Sequence, residues 1–130
     1  MLENNADNVK IVFKNMPLQF HKMADPAHRA ALAAGEQGKF WEFHDKLFAA
    51  KKLSNELIDA TAAELALDIT KFKADMDSPK IRMMINKDLS DAKKAGVTGT
   101  PTVFINGRKL QQRSLQGFQK LIDEELTKKK

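Results

Sequence analysis

Few residues in this sequence have side chains suited to chemistry, and cysteine is not among them. The 130 residues contain no cysteine and three histidines, His21, His28 and His44. Without cysteine, the sequence offers no disulfide, no thiolate metal site and no thiol nucleophile. The histidines lack the spacing of zinc ligands, so we expect each to have a capping, surface or core-edge role. The sequence therefore predicts no metal site, no cofactor and no catalytic residue.

The most informative stretch is residues 96–110, GVTGTPTVFINGRKL. Gly99 loosens the backbone, and Pro101 then fixes φ and removes a hydrogen-bond donor before a β-prone run at residues 102–105. That run meets Asn106-Gly107, a common hairpin turn in which both residues need a positive φ. We predict a loop, a strand, a tight turn and a returning strand at residues 108–110.

The bulk composition describes one globular domain covering residues 1–130. Hydrophobic residues make up 42% and charged residues 30%, and 22 basic against 17 acidic residues give a formal charge of +5. No basic stripe alternates with aromatic residues, so we expect no nucleic-acid partner. No apolar run reaches the roughly 20 residues that cross a bilayer, and residues 1–8 do not resemble a signal peptide. The sequence itself therefore predicts neither a membrane segment nor a compartment.

Capping residues and apolar periodicity predict a helix-rich chain. Residues 9–13 are short and β-prone, which favours a strand. Asp25 and Pro26 are typical of an N-cap and first helical position, opening a helix over residues 26–34. A second helix over residues 39–50 is expected to bury one apolar face. Three more helices and a C-terminal helix are predicted from their capping residues, which are Ser54, Asp68, Ser78 and Ser114.

Four aromatic residues cluster in the second predicted helix: Phe40, Trp41, Phe43 and Phe48. A stripe of this kind usually belongs to a core, and we expect Phe40, Phe43 and Phe48 to face inward. Trp41 lies beside that face. It is therefore the better candidate to line a peptide-binding groove.

Three segments together resemble DsbA-like thioredoxin-fold proteins, which are thiol-disulfide oxidoreductases. They are KIVFKNMPL at residues 10–18, AALAAGEQGKFW at 30–41, and GVTGTPT at 96–102 followed by an apolar strand and Asn-Gly. The resemblance implies an α/β thioredoxin-like fold with a helical insertion at about residues 25–95. It also implies that the Thr100–Pro101 bond is cis and that Thr100 and Pro101 bind substrate.

The family's chemistry resides in a segment that has no counterpart in this sequence. Its members begin with a strand and a Cys-x-x-C motif, whereas residues 1–8 resemble the end of the helix that follows that motif. Thiol–disulfide exchange requires a thiolate, so this chain alone cannot perform it. The apolar strands at residues 9–13 and 102–105 would also lack the strand between them. Re-pairing, pairing with a second copy in a homo-oligomer, and a fragment of a longer protein all stay open.

The leading hypothesis is a domain of the DsbA-like family that acts on protein disulfides but is inactive alone. The resemblance implies polypeptide substrates and a periplasmic or extracytoplasmic location. One alternative is a redox-inactive peptide-binding module that retains the proline loop. Another is a glutathione-binding relative of the kappa-class transferases, which share the DsbA-like fold.

Overall fold

The computed structural model describes residues 3–18 and 21–128, which form two compact units. One unit comprises Met1–Phe13 with Val97–Lys130, and the other comprises Lys14–Gly96. Across the described residues there are six α-helices and one two-stranded antiparallel sheet. The predicted helix-rich α/β class is confirmed. The predicted limits of the helical insertion stay a prediction.

The unit Lys14–Gly96 is helical. Its five helices are α1 (Ala24–Gly35), α2 (Phe40–Ala49), α3 (Asn55–Glu64), α4 (Ile69–Met76) and α5 (Pro79–Lys94). Helix α1 contacts each of the other four. Its alanines make this possible, because a side chain of one carbon lets neighbouring helices approach closely. Five of them are buried, namely Ala27, Ala30, Ala31, Ala33 and Ala34.

The core of this unit is formed by large apolar side chains arranged around α1. Phe43 on α2 and Phe72 on α4 are fully buried, and their ring centroids lie 5.6 Å apart. Ile81 and Ile85, one turn apart on α5, are also buried. Such aromatic pairs are favourable beyond the area that they bury. On α2 the apolar periodicity predicted Phe43 to face inward, and its burial confirms that prediction.

The caps predicted for α3, α4 and α5 are confirmed. In each case a side-chain oxygen accepts a hydrogen bond from a main-chain N–H of the first turn, which would otherwise lack a partner. Pro79 also occupies the start of α5, as predicted. The three bonds run from Leu57 to Ser54 (3.0 Å), from Lys71 to Asp68 (3.1 Å) and from Ile81 to Ser78 (3.3 Å).

Two details predicted for this unit are wrong. Asp25 is not an N-cap, because α1 already begins at Ala24 and Met23 holds the cap position. The carboxylate of Asp25 instead accepts hydrogen bonds from Arg29 and Arg82, so ion pairing takes the oxygen that capping would need. Phe48 does not face the core: it is 75% exposed.

The other unit contains a hairpin and a helix. Strand β1 (Phe104–Ile105) pairs with β2 (Arg108–Lys109), and helix α6 spans Leu115–Lys128. Asn106 and Gly107 have φ values of 49° and 82°, so the predicted turn is confirmed. The strands are shorter than predicted, although a hydrogen bond from Leu110 N–H to the Val103 carbonyl (2.8 Å) continues the pairing by one step.

The strand predicted at residues 9–13 does not form. These residues adopt no regular secondary structure, and Ile11 and Val12 are 44% and 69% exposed. A β-prone sequence becomes a strand only when a neighbour accepts its main-chain hydrogen bonds, and the sheet among the described residues has just two strands, β1 and β2. Association of two copies through such apolar edges stays a prediction.

The residues before this segment form a 3-10 helix at Glu3–Asn5. Asn5 is buried and exchanges two hydrogen bonds with Gln119 of α6, at 2.8 and 3.0 Å. The resemblance had implied a helix end for residues 1–8, of which Met1 and Leu2 lie outside the described residues. Within the described ranges, no helix is both long enough and apolar enough to span a bilayer.

Candidate functional site

The proline loop is a surface feature of the hairpin unit. The Thr100–Pro101 peptide bond is cis, and both residues are exposed. The Thr102 hydroxyl donates a hydrogen bond to the Gly99 carbonyl at 2.6 Å, which closes a tight turn around the proline. The loop predicted from the sequence is therefore exposed at Thr100 and Pro101 and is stabilised by a hydrogen bond between its own residues.

The main chain of Thr100 has unused hydrogen-bonding capacity. Among the hydrogen bonds that join described residues, none uses the Thr100 N–H or its carbonyl. An exposed main-chain donor and acceptor without partners resemble the edge of a sheet, which readily pairs with another extended chain. The loop can thus supply one donor and one acceptor to an extended ligand.

Arg113, on the segment before α6, contacts this loop, and the sequence did not predict the contact. Its Nη1 atom donates a hydrogen bond to the Pro101 carbonyl at 3.2 Å. The hairpin register could have revealed the contact. Phe104 pairs with Lys109, and continuing that pairing outward brings Pro101 opposite the residues just before Ser114.

The segment that carries Arg113 is fixed by the start of α6. Ser114 caps this helix as predicted, because its hydroxyl accepts a hydrogen bond from the Gly117 N–H at 3.0 Å. Gly117 has no side chain, and a Cβ there would lie 2.1 Å from the Gln112 carbonyl oxygen. The main chain of Gln112 therefore packs directly on the first turn of α6. Arg113 is held between these two contacts.

Two acidic residues of α6, Glu124 and Glu125, have cationic partners. Arg108 contacts carboxylate oxygens of Glu124 and Glu125 at 3.0 and 3.1 Å, and Lys128 contacts Glu125 at 3.2 Å. Hydrogen bonds from Arg108 and Lys128 lower the pKa of Glu125. By contrast, no ion pair with a carboxylate is found for Arg113 among residues 3–18 and 21–128. The Arg113 guanidinium beside the loop is therefore not neutralised by Glu124 or Glu125.

Trp41 lies in the helical unit, on a mixed aromatic surface of α2. Trp41 is 45% exposed, and its ring meets those of Phe40 and His44 at centroid distances of 5.1 and 5.2 Å. The His44 ring also lies 4.3 Å from that of Phe48. Trp41 is thus accessible as expected, and its role as a groove residue stays a prediction.

His28 belongs to a partly buried polar cluster with Asn15 and Asp88. Asn15, which is 4% exposed, donates from its main-chain N–H and from its side-chain amide to one oxygen of Asp88, both at 2.9 Å. The amide oxygen of Asn15 then accepts from Nδ1 of His28 at 2.8 Å. Burial lowers the pKa of His28, although Asp25 and Asp88 oppose that shift. Among the described residues, no group of histidine, aspartate and glutamate side chains could hold a metal ion.

The chain combines an exposed proline loop with the β1–β2 hairpin, helix α6 and a unit of five helices. This combination is typical of thioredoxin-like proteins. A family model described as thioredoxin matches residues 2–124. The chain therefore belongs to the thioredoxin family.

Solved structures agree with this assignment. A thioredoxin-like oxidoreductase from Silicibacter pomeroyi DSS-3 superimposes with a TM-score of 0.81 at 30% identity, covering 95% of this chain and 72% of that one. The thiol-disulfide exchange protein alpha-DsbA2 from Wolbachia pipientis, at 23% identity and a TM-score of 0.76, shares the fold over the same fractions. The resemblance to DsbA-like thiol-disulfide oxidoreductases and the thioredoxin-like fold are thus confirmed, in a chain without cysteine.

Curated relatives extend beyond this chain. It is 31% identical to a probable disulfide bond formation protein D of Bacillus anthracis, with 92% of this chain and 59% of that protein aligned. It is 38% identical over 107 residues to a Na(+)/H(+) antiporter NhaA of Herminiimonas arsenicoxydans, which amounts to 17% of that antiporter. The chain thus spans between about a sixth and three fifths of the length of these relatives.

Proposed function

We propose that this chain holds extended polypeptides for a DsbA-family protein-disulfide oxidoreductase and does not itself exchange thiols. The observation that carries the proposal is that Thr100 is exposed and that its main-chain N–H and carbonyl have no hydrogen-bond partner among the described residues. Thr100 stands immediately before a braced cis-proline in a thioredoxin-family fold. An extended ligand pairing with this edge gains main-chain hydrogen bonds whatever its side chains are.

The chemistry of disulfide exchange must come from outside this sequence. A thiolate attacks one sulfur of the disulfide and displaces the other, and no side chain among the 130 residues can form a thiolate. We therefore expect the isolated chain to bind a polypeptide without reducing, oxidising or isomerising its disulfides. The binding step and the redox step are thus separable by experiment.

The redox-inactive peptide-binding module would use the same proline loop, so it differs from this proposal only in having no redox partner. Trp41 on α2 is a second candidate surface for a peptide, because its ring is exposed. The relatives described above include oxidoreductase and disulfide-bond proteins, and they lend the glutathione-transferase alternative no support. The loop of Thr100 and Pro101 is therefore the site that we test.

The test varies the ligand and leaves the protein untouched. A short apolar peptide of extended conformation is titrated into the full chain, followed by copies N-methylated at one amide each. N–H groups that point toward a given edge recur at every second residue of a strand. Because the Thr100 carbonyl is one acceptor, one peptide N–H pairs with it, and we expect methylation to weaken binding strongly at that position and only slightly at the positions on either side. Equal effects at neighbouring positions, or no saturable binding at all, would contradict pairing with the Thr100 main chain.

A further inference from the structure

We propose that Arg113 makes the proline loop select polypeptides that carry an acidic side chain close to the bound segment. The inference rests on the proposed function, and it adds a substrate preference that the fold alone does not supply. The observation behind it is the hydrogen bond from the Arg113 guanidinium to the Pro101 carbonyl. This bond fixes a permanent positive charge at the loop that presents Thr100.

The Arg113 guanidinium has more N–H donors than its hydrogen bond to Pro101 uses. An arginine side chain carries five N–H groups and no acceptor, and it stays charged at any physiological pH. One group is occupied by the Pro101 carbonyl. Arg113 is exposed, and among the described residues its guanidinium makes no carboxylate ion pair and no hydrogen bond besides that to Pro101, so donors remain for a ligand. Carboxylates are the natural partners of such a planar fork.

The position of the charge is set by the main chain, not by the flexible side chain alone. The preceding residue, Gln112, lies against the Gly117 backbone, and the following residue, Ser114, caps α6. A cation whose attachment point is fixed loses less freedom when it binds an anion than one on a mobile loop. Arg113 differs from Lys109 of strand β2 because the Arg113 guanidinium contacts the proline loop itself, through the Pro101 carbonyl.

The distances suit an interaction across the loop. A chain paired with Thr100 would run about 4.8 Å from its main chain. The guanidinium lies 3.2 Å from the carbonyl of the next residue, Pro101. The separation between the guanidinium and the paired chain is therefore of the order of the screening length, which is about 8 Å at physiological ionic strength. A glutamate side chain on the bound peptide would shorten it further.

The predicted preference is modest because the site is exposed. Exposed ion pairs typically change an equilibrium constant about two- to fivefold. We therefore expect a peptide with one glutamate to bind about two to five times more tightly than the same peptide with glutamine at that position. The same peptide with lysine there should bind more weakly than both, and these differences in affinity should shrink at high salt.

The experiment compares these three peptides on the full chain and on three variants, using the ratio of Kd values as the readout. In Arg113→Gln the ratio of the glutamine to the glutamate peptide should fall to about one. Arg113→Lys should retain part of it, since the charge remains but the planar fork is lost. Lys109→Gln removes the same charge from the adjacent strand and should keep the ratio of the parent. A ratio taken within one protein is insensitive to a general loss of affinity.

The outcomes separate this inference from the proposed function. If the parent binds all three peptides equally, the proposed function stands and the role of Arg113 is refuted. The same holds if the ratio survives in Arg113→Gln, or if Lys109→Gln lowers it equally. If the parent binds none of the peptides, both proposals fall together.

Discussion

Gly117 in α6 allows two opposing predictions for one substitution, Gly117→Ala. Intrinsic helix propensity favours alanine over glycine inside a helix by about 1 kcal/mol. The packing predicts the reverse, because the new Cβ would lie 2.1 Å from the Gln112 carbonyl oxygen and 2.9 Å from its carbonyl carbon. Overpacking of this kind costs about 1–3 kcal/mol, and contact with main chain belongs at the upper end. We therefore expect a net destabilisation of about 2 kcal/mol, or a roughly 30-fold lower ratio of folded to unfolded protein.

Chemical denaturation of Gly117→Ala and the parent measures this difference directly. Gly99→Ala is the matched control, because a Cβ at Gly99 would meet nothing within 4 Å and the residue has no positive φ. That control should be neutral, or more stable by up to about 1 kcal/mol. Shortening the side chain in Gln112→Ala should not rescue Gly117→Ala, since the closest atoms belong to the main chain. A Gly117→Ala protein as stable as the parent would refute the close packing of Gln112 on α6 and weaken the case for a fixed Arg113.

Two further predictions concern the helical unit. Because burial lowers the pKa of His28 from its ordinary value of 6.5, the unfolded chain binds a proton more readily than the folded one. The free energy of unfolding should thus fall as the pH drops below about 6.5, and denaturation of His28→Gln should lack this component of the loss. Parallel pH profiles for the two proteins would contradict it. Ser78→Ala removes the cap of α5 and should cost about 1 kcal/mol in chemical denaturation. Ser90→Ala, at an exposed interior position of the same helix, should be neutral or slightly stabilising, and equal losses would contradict the capping role.

Features set by neighbouring residues could be predicted from the sequence. The caps at Ser54, Asp68 and Ser78 need only a side-chain oxygen and an N–H three residues on. The Asn106-Gly107 turn needs only two residues that tolerate a positive φ. Because these caps and this turn depend only on residues within three positions of each other, the sequence pattern is enough to predict them.

Features set by distant partners were missed. The Asp25 carboxylate binds Arg29 and also Arg82, which is 57 positions away, and this outweighs capping. The strand expected at residues 9–13 depends on a neighbour, which a sequence pattern cannot guarantee. The pairing of Asn15 with Asp88 joins residues 73 apart, and no periodicity indicates it.

The candidate site was half predictable. Thr100 and Pro101 were located by the resemblance together with the turn chemistry around them. Arg113 was not, although the hairpin register brings it toward Pro101 once the Asn106-Gly107 turn is accepted. What the register cannot give is the anchoring of Arg113. That depends on the close approach of Gln112 to Gly117, a packing contact between a loop and a helix.

The central claim is that extended polypeptides bind along the Thr100 main chain, and amide chemical shifts of the 15N-labelled chain test it most directly. The chain is titrated with the unmodified apolar peptide, and the shift changes are mapped onto the sequence. We predict saturable changes concentrated at residues 99, 100, 102 and 103, since Pro101 has no N–H, with the change at Thr100 among the largest. Saturable changes centred on α2 around Trp41, or no changes at residues 99–103, would contradict the account.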